Sequence, residues 1–475
     1  MDISLQVLIG YLLNLLLGLF IVFKERKNIK STWLWLMILL YLPFVGFILY
    51  MFFGLSYRKR KTFDEKMMLD EKEKSLAENQ KKFLNLAQSN SINSDQKELI
   101  NLCLSTSDTT YTNYNNIKFY FDGNDKFKDL FKDILEAKEY IYIEYYIFRT
   151  DKLGIKLINL LNEKLKEGIE VRILVDAVGS RSIRKRYFNE FKRLGGKIDS
   201  FFPLFFSKFT TRFNYRNHRK IVIIDGKIAY SGGFNVGNEY INKSKRFGFW
   251  RDTHFRLTGD IVEEYLRRFK FDYRFATSIK PNGEYYKEHD VNSLKRMQLV
   301  TSGPDSMYEN IKNVYLKMIS TAKTRLWIQS PYFIPDESIL EAIRIAALSG
   351  VDIRIMIPNK PDHLFVYWAT LSHVGQLLDD GVKIYQYNNG FLHSKQVIKD
   401  DDICTVGTAN FDIRSFTLNF EANLVFYDKE TNDLLSNQFI KDMQVSEEIT
   451  PYKYNQRSRF VKIKESISRL LSPML

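Results

Sequence analysis

The sequence predicts an α/β fold: two tandem half-domains rich in βαβ units and related by a pseudo-two-fold, preceded by an N-terminal transmembrane helical hairpin. Three observations carry this. Two long uncharged apolar runs open the chain, a strand–helix–strand pattern occurs twice, and each occurrence leads into the same histidine- and lysine-bearing motif with identical internal spacing.

The hairpin rests on residues 3–23 and 31–57, neither of which contains a charged residue. At about 1.5 Å per residue each is long enough for a bilayer core of roughly 30 Å. Trp33 and Trp35 near one end of the second run, and Tyr50 and Tyr57 near the other, suit the two membrane interfaces. The first run lacks a basic leader and a small-residue cleavage site, so it reads as an anchor, not a signal peptide. Basic residues occupy both the linker (Lys24, Arg26, Lys27, Lys30) and the cluster Arg58 to Lys61. That unbroken cluster and the scarcity of cysteine, Cys103 and Cys404 alone, place the catalytic body on the cytosolic side of the cell membrane.

Residues 58–110 are polar and charged and are expected to form a juxtamembrane connector, with folded sequence beginning near Tyr111. Two halves follow, 111–280 and 281–475, the second opening at the turn-forming Pro281-Asn282-Gly283. In the first, YIYIEYYIF (140–148) reads as a buried strand, 154–166 as a helix and GIEVRILVD (168–176) as the next strand. In the second, RLWIQSPYFIP (325–335), the helical pattern from Glu337 and GVDIRIMIP (350–358) repeat that order. Repeated βαβ units imply a mainly parallel sheet.

Both halves then show H-x-K-x4-D-x6-G-x2-N. The first copy is His218, Lys220, Asp225, Gly232 and Asn235; the second is His393, Lys395, Asp400, Gly407 and Asn410. A lone copy would carry little, but two with matching tails in equivalent places do not arise by chance. The residue types suit phosphodiester chemistry. A neutral imidazole attacks phosphorus without the repulsion an anionic nucleophile meets, and a second can protonate the leaving alkoxide. Lys220 and Lys395 would hold the non-bridging oxygens where charge builds, and Asn235 and Asn410 would add hydrogen bonds to the phosphate. The two lysines supply the positive charge, so neither a metal nor another cofactor is expected. Each histidine needs an acceptor on its other ring nitrogen. Glu421 is the candidate for His393, and Asp252 or Glu239 for His218. Asp225 and Asp400 count among the catalytic residues, with pinning of a local loop as their other reading.

The paired motif resembles the phospholipase D superfamily, and the wider match is closer to bacterial cardiolipin synthases. The stretches that carry it are TWLWLMILLYLPFVGFILYMFFG (32–54), IEYYIF (143–148), NHRKIVIIDGKIAYSGGFNVGNEY (217–240), FWRDTHFRLTG (249–259), SPYFIPD (330–336), GFLHSKQVIKD (390–400), GTANFDIRSFTLNFEAN (407–423) and RLLSPML (469–475). The resemblance implies transfer of a phosphatidyl group from one phosphatidylglycerol to another, giving cardiolipin and glycerol through a phosphatidyl-histidine. A membrane-anchored hydrolase or another phosphatidyltransferase is the alternative. Gly233 stands where many superfamily members have Ser, so a hydroxyl role at that position is in doubt.

The expected partners are phosphatidylglycerol and anionic membrane lipid, and not nucleic acid. A net charge of +14 suits an anionic membrane face. Three further segments bear on lipid. The Phe-rich stretch 200–215, with Lys208 and Arg212, is either an interfacial loop or core. Asp362-His363 either helps hold the second headgroup or caps a loop. Residues 457–471 form a basic amphipathic helix that docks on the body or on the membrane.

Overall fold

The computed structural model describes residues 3–24, 29–50, 92–107, 109–202, 214–286, 295–470 and 472. It divides into two compact units, residues 1–69 with 203–215, and residues 70–202 with 216–475.

The first unit contains α1 (Ile3–Lys24), α2 (Ile29–Tyr41) and α3 (Pro43–Leu49). Pro43 sits at the start of α3, where its missing N–H costs nothing, and so ends α2 and begins the next helix. Ile21, Leu39 and Tyr50 form a small core, with Trp35 edge-on to Tyr50 at 5.2 Å. Leu12, Leu15, Leu16 and Leu40 point outward and are exposed. Among the described residues no helix is long and apolar enough to cross a membrane. The expected spans, 3–23 and 31–57, extend beyond the described side chains, as does most of the Phe-rich stretch.

The second unit begins with α4 (Ser94–Thr106). This differs from the expected connector. Leu99, Ile100, Cys103 and Leu104 make one apolar stripe on an otherwise polar helix, and that stripe belongs to the core of the second half. The remainder of the connector, 58–91, lies outside the described residues.

The first half then runs β1 (Tyr111–Thr112), β2 (Asn115–Tyr120), α5 (Gly123–Glu136), β3 (Tyr140–Tyr145), α6 (Lys152–Lys166), β4 (Glu170–Asp176), β5 (Lys197–Phe201), β6 (Arg216–Asn217), β7 (Ile221–Ile224), β8 (Ile228–Gly232), β9 (Trp250–Arg251), β10 (His254–Gly259) and α7 (Ile261–Thr277). The second half runs β11 (Met297–Ser302), α8 (Asn310–Ser320), β12 (Arg325–Gln329), β13 (Phe333–Ile334), α9 (Glu337–Leu348), β14 (Asp352–Pro358), α10 (Leu364–Gly375), β15 (Lys383–Tyr387), β16 (Phe391–Leu392), β17 (Gln396–Lys399), β18 (Ile403–Gly407), β19 (Phe411–Asp412), β20 (Asn419–Phe426), α11 (Lys429–Gln444), β21 (Ser446–Ile449) and α12 (Arg459–Leu470).

The main sheets are mixed, not mainly parallel as expected. One is ordered β2-β10-β8-β7-β3-β4-β5, the other β1-β11-β20-β18-β17-β12-β14-β15-β21 with β6 on β20. The parallel blocks are β3-β4-β5 and β12-β14-β15, joined by helical crossovers. β7 and β17 instead turn back through tight hairpins into β8 and β18. The first of these turns needs Asp225 and Gly226 at positive φ. All six residues of β3 are buried, which explains a continuous apolar run in place of alternation.

Arg219 ties the halves together. Its guanidinium donates to Asp272 on α7 at 2.5 Å, to the Glu421 carbonyl at 3.1 Å and to the Ser302 carbonyl at 3.2 Å, all buried. Arg219→Ala would take the nearer of two guanidiniums from the buried Asp272, Arg268 standing at 3.6 Å, and would remove a donor from the Glu421 and Ser302 carbonyls, so thermal unfolding should show a loss of about 2–4 kcal/mol. Adding Asp272→Ala should recover part of it; a single-variant loss below about 1 kcal/mol would contradict this role.

Candidate active site

Two short parallel bridges build the site, and each joins one half to the other. β6 pairs with the start of β20, Arg216 opposite Asn419 and Asn217 opposite Phe420. The next residue, His218, donates its backbone N–H to the Phe420 carbonyl at 2.9 Å. That register brings Glu421 to His218, with Nδ1 2.9 and 3.0 Å from the two carboxylate oxygens. β9 pairs with β16 in the same way, Trp250 opposite Phe391 and Arg251 opposite Leu392. His393 donates its N–H to the Arg251 carbonyl at 2.7 Å, and Asp252 lies 2.6 Å from His393 Nδ1.

The carboxylates are therefore exchanged between halves. Glu421 was expected on His393 and serves His218; Asp252 was expected, with Glu239 as its alternative, on His218 and serves His393. Glu239 takes no part and pairs with Arg149 at 3.1 Å. The physical reason is the two-residue ladders, which align each histidine with the residue that follows the two paired ones across the halves, Glu421 within β20 and Asp252 just after β9.

The surroundings of the two carboxylates differ in a compensating way. Glu421 also accepts from Thr408 Oγ1 at 2.6 Å and from Asn419 Nδ2 at 3.3 Å. Gly233 occupies the position in the first motif that Thr408 has in the second. A Cβ on Gly233 would stand 1.8 Å from Asp252 Oδ1, so the shorter carboxylate fills the space where a side chain would be. This accounts for the glycine at that position.

In each motif the lysine curls back onto its own histidine: Lys220 Nζ donates to the His218 carbonyl at 2.7 Å, and Lys395 Nζ to that of His393. Both H-x-K triplets lie in the connections after β6 and β16 and not within a strand. Tyr146 stands edge-on to His218 at 4.9 Å and Trp250 lies 5.1 Å from His393, giving each imidazole an aromatic wall.

Burial lowers the pKa of both histidines, His393 to about 4. Lys395 contributes to the His218 shift and Lys220 to that of His393, which shows that the two motifs share one electrostatic site. Burial also lowers Lys220 to about 7 and Lys395 to about 8. Burial would raise Glu421, but His218 and Lys220 hold it below the ordinary carboxylate value. Asp252 is likewise held low against its burial by Lys395 and His393. A carboxylate only accepts, so Nδ1 of the neutral His218 carries the hydrogen and Nε2 keeps a lone pair; Nδ1 of His393 faces both the Asp252 carboxylate at 2.6 Å and Lys395 Nζ at 2.8 Å, and donates to Asp252 in the tautomer that leaves Nε2 its lone pair.

The remaining candidates fall elsewhere. Asp225 accepts from the backbone N–H groups of Lys138, Glu139 and Tyr140 at 2.8, 2.8 and 3.0 Å. Asp400 accepts from those of Lys323, Thr324 and Arg325 at 3.1, 2.8 and 3.2 Å. The two aspartates thus pin the entrances to β3 and β12 through backbone amides, Asp400 with an added ion pair to Lys399 at 3.1 Å. Their placement corrects their assignment to the catalytic set. Asn235 accepts from Ile147 N–H at 3.1 Å and donates to Tyr240 at 3.2 Å, so much of its amide is committed to the fold. Asn410 keeps a buried side-chain oxygen with no partner among the described residues. Sequence reasoning missed Thr408, Tyr146 and Trp250; the only prior signal was the mismatch between Gly233 and Thr408 in otherwise equivalent tails.

The family described as "Cardiolipin synthase, PLD-like domain" matches residues 130–271 and 315–443, one segment in each half. The family "Phospholipase_D-nuclease N-terminal" matches residues 12–54. The chain is 46% identical over 476 residues to the major cardiolipin synthase ClsA of Bacillus subtilis, covering 98% of each chain. It is 48% identical to a cardiolipin synthase of Oceanobacillus iheyensis, covering 99% of each. Among solved structures, the phosphatidylserine synthase of Haemophilus influenzae matches 76% of this chain and 95% of its own with a TM-score of 0.59 at 15% identity, a likeness of fold. With both halves matched and full-length relatives at this identity, the chain belongs to the bacterial cardiolipin synthases of the phospholipase D superfamily, and it is an enzyme of the phosphatidyltransferase type.

Proposed function

We propose that the protein transfers a phosphatidyl group from one phosphatidylglycerol to a second, giving cardiolipin and glycerol. The observation that supports this best is the pair of buried neutral imidazoles, each held by a carboxylate from the opposite half and each beside a buried lysine. In the first step the Nε2 of one neutral histidine attacks phosphorus and the bond to the glycerol headgroup oxygen breaks, while the other histidine, which enters this step as the imidazolium, gives its Nε2 proton to that oxygen. In the second step the deprotonated histidine takes the proton of an incoming phosphatidylglycerol hydroxyl. The alkoxide attacks phosphorus, and the P–N bond breaks. His218 and His393 divide these roles, Lys220 and Lys395 hold the non-bridging oxygens, and Glu421 and Asp252 orient the imidazoles and stabilise their protonated forms. With its oxygen free of partners among the described residues, the Asn410 amide is freer than that of Asn235 to turn its Nδ2 donor toward the phosphate. Asp225 and Asp400 act only through the loops they pin.

We further propose that the N-terminal helices anchor the enzyme in the cell membrane as a hairpin with the catalytic body in the cytosol. The apolar runs, the family match over residues 12–54 and two buried free cysteines support this reading.

Purified full-length protein with labelled phosphatidylglycerol should form cardiolipin; phosphatidic acid released without any cardiolipin would assign the site to hydrolysis instead. His218→Ala and His393→Ala should each lower turnover by about 10²–10⁴-fold. Rapid quenching should trap a covalent phosphatidyl-enzyme in only one of them, and full activity in either would refute the two-histidine scheme.

The pH dependence follows from the same groups. The lysines bind phosphate as ammonium ions, so kcat/KM should fall as pH rises through about 7, where Lys220 loses its proton. The neutral form of His393 should be lost only as pH falls through about 4. Lys220→Arg keeps its charge, so the alkaline limb should move to about 8, where Lys395 titrates. A limb that does not move would remove Lys220 from phosphate binding.

A further inference from the structure

The C-terminal helix α12 packs against α10 with its polar side. Glu465 and Ser468 are 3% and 1% exposed, and Glu465 is held by Arg457 at 2.9 Å. Beyond the helix, Ser472 lies 3.2 Å from His373 Nε2 on α10. The apolar residues of α12 face away: Phe460, Ile463, Ile467 and Leu470 are 76%, 55%, 51% and 79% exposed. At about 100° per residue these four share one stripe, roughly opposite the buried one. Arg459, Lys462, Lys464 and Arg469 lie along its two sides, all exposed. A helix whose apolar face is merely part of the core does the reverse. Contiguous exposed apolar surface with a basic border marks a docking face.

That face continues toward the site. At the start of α10, Leu364 and Phe365 are 64% and 56% exposed. Just before them Asp362 accepts from the Tyr332 hydroxyl, its carbonyl accepts from Arg246 at 2.9 Å, and its charge acts on Lys395. The exposed end of α10 therefore adjoins a residue whose charge reaches Lys395.

We propose that the outward stripe of α12 and the start of α10 form a docking face for an anionic phospholipid bilayer, which brings the α10 side of the site to the lipid surface. The basic border selects a negatively charged membrane over a neutral one, and the apolar stripe enters the headgroup–acyl boundary. This deepens the lipid reading of the site and is separable from it, because docking can be read without turnover.

The test uses the full chain reconstituted in vesicles, with a fluorophore on Ile463→Cys or Ile467→Cys and on Lys441→Cys as the exposed control on α11. Cys103 and Cys404 are buried, so the introduced thiol is the one that labels. Nitroxide-bearing lipids should quench positions 463 and 467 several-fold more than 441 in vesicles containing phosphatidylglycerol, and less in pure phosphatidylcholine. Each neutralisation among Lys462→Gln, Lys464→Gln and Arg469→Gln should weaken docking by about fivefold. Quenching at 463 and 467 no greater than at 441 would overturn the proposal. Lipid-independent self-quenching that rises with protein concentration would overturn it too, assigning the face to a second copy of the chain. Loss of transfer activity with quenching intact would count against the proposed reaction and leave the docking face standing.

Discussion

Glu421 and Asp252 are buried acceptors, each aimed at a histidine from the other half of the molecule. Much of the architecture serves to put them there. The carboxylates are held in place by bridges only two residues long, β6 on β20 and β9 on β16, and by the backbone bonds that His218 and His393 add to those ladders. A half-domain alone would carry a histidine without its acceptor and a carboxylate without its donor. The duplication is thus more than two copies of a motif: neither half holds a complete site, and a displaced interface would leave two charges buried and unmatched, at several kcal/mol apiece.

The same constraint sets the chemistry. Burial keeps both imidazoles neutral and lowers both lysines toward neutrality, so the empty site is poised between protonation states. A phosphodiester brings negative charge into this pocket, which favours the protonated lysines and allows one histidine to hold the proton its leaving group needs. Local sequence differences, Thr408 with Glu421 on one side and Gly233 with Asp252 on the other, give the two imidazoles unequal settings within a near-symmetric frame. That asymmetry provides a basis for dividing nucleophile from acid.

How much of this was legible in the sequence depends on the range of the interactions. The strands at 140–145 and 352–358 were readable because buried strands leave continuous apolar runs. The tight spacing of H-x-K-x4-D was readable because it is local. Helix α4 was hidden because only four buried apolar residues mark it among charged neighbours. The hairpins that make the sheets mixed were overshadowed by the βαβ pattern beside them. The exchange of carboxylates could not be read from spacing: two-residue ladders have no periodicity, and nearness along the chain favoured partners within one half. The aspartates of the two motifs were misassigned for a related reason, since a repeated carboxylate can pin a repeated turn as readily as it can act on a substrate.

The direct test of the exchanged pairing is the ring-nitrogen NMR spectrum of the protein labelled with ¹⁵N only in its six histidines. Glu421→Gln should shift the Nδ1 signal of His218 and leave that of His393 nearly unchanged, and Asp252→Asn should do the opposite. If Glu421→Gln instead perturbed His393, each half would orient its own histidine, and the account of a site completed across the two halves would be wrong.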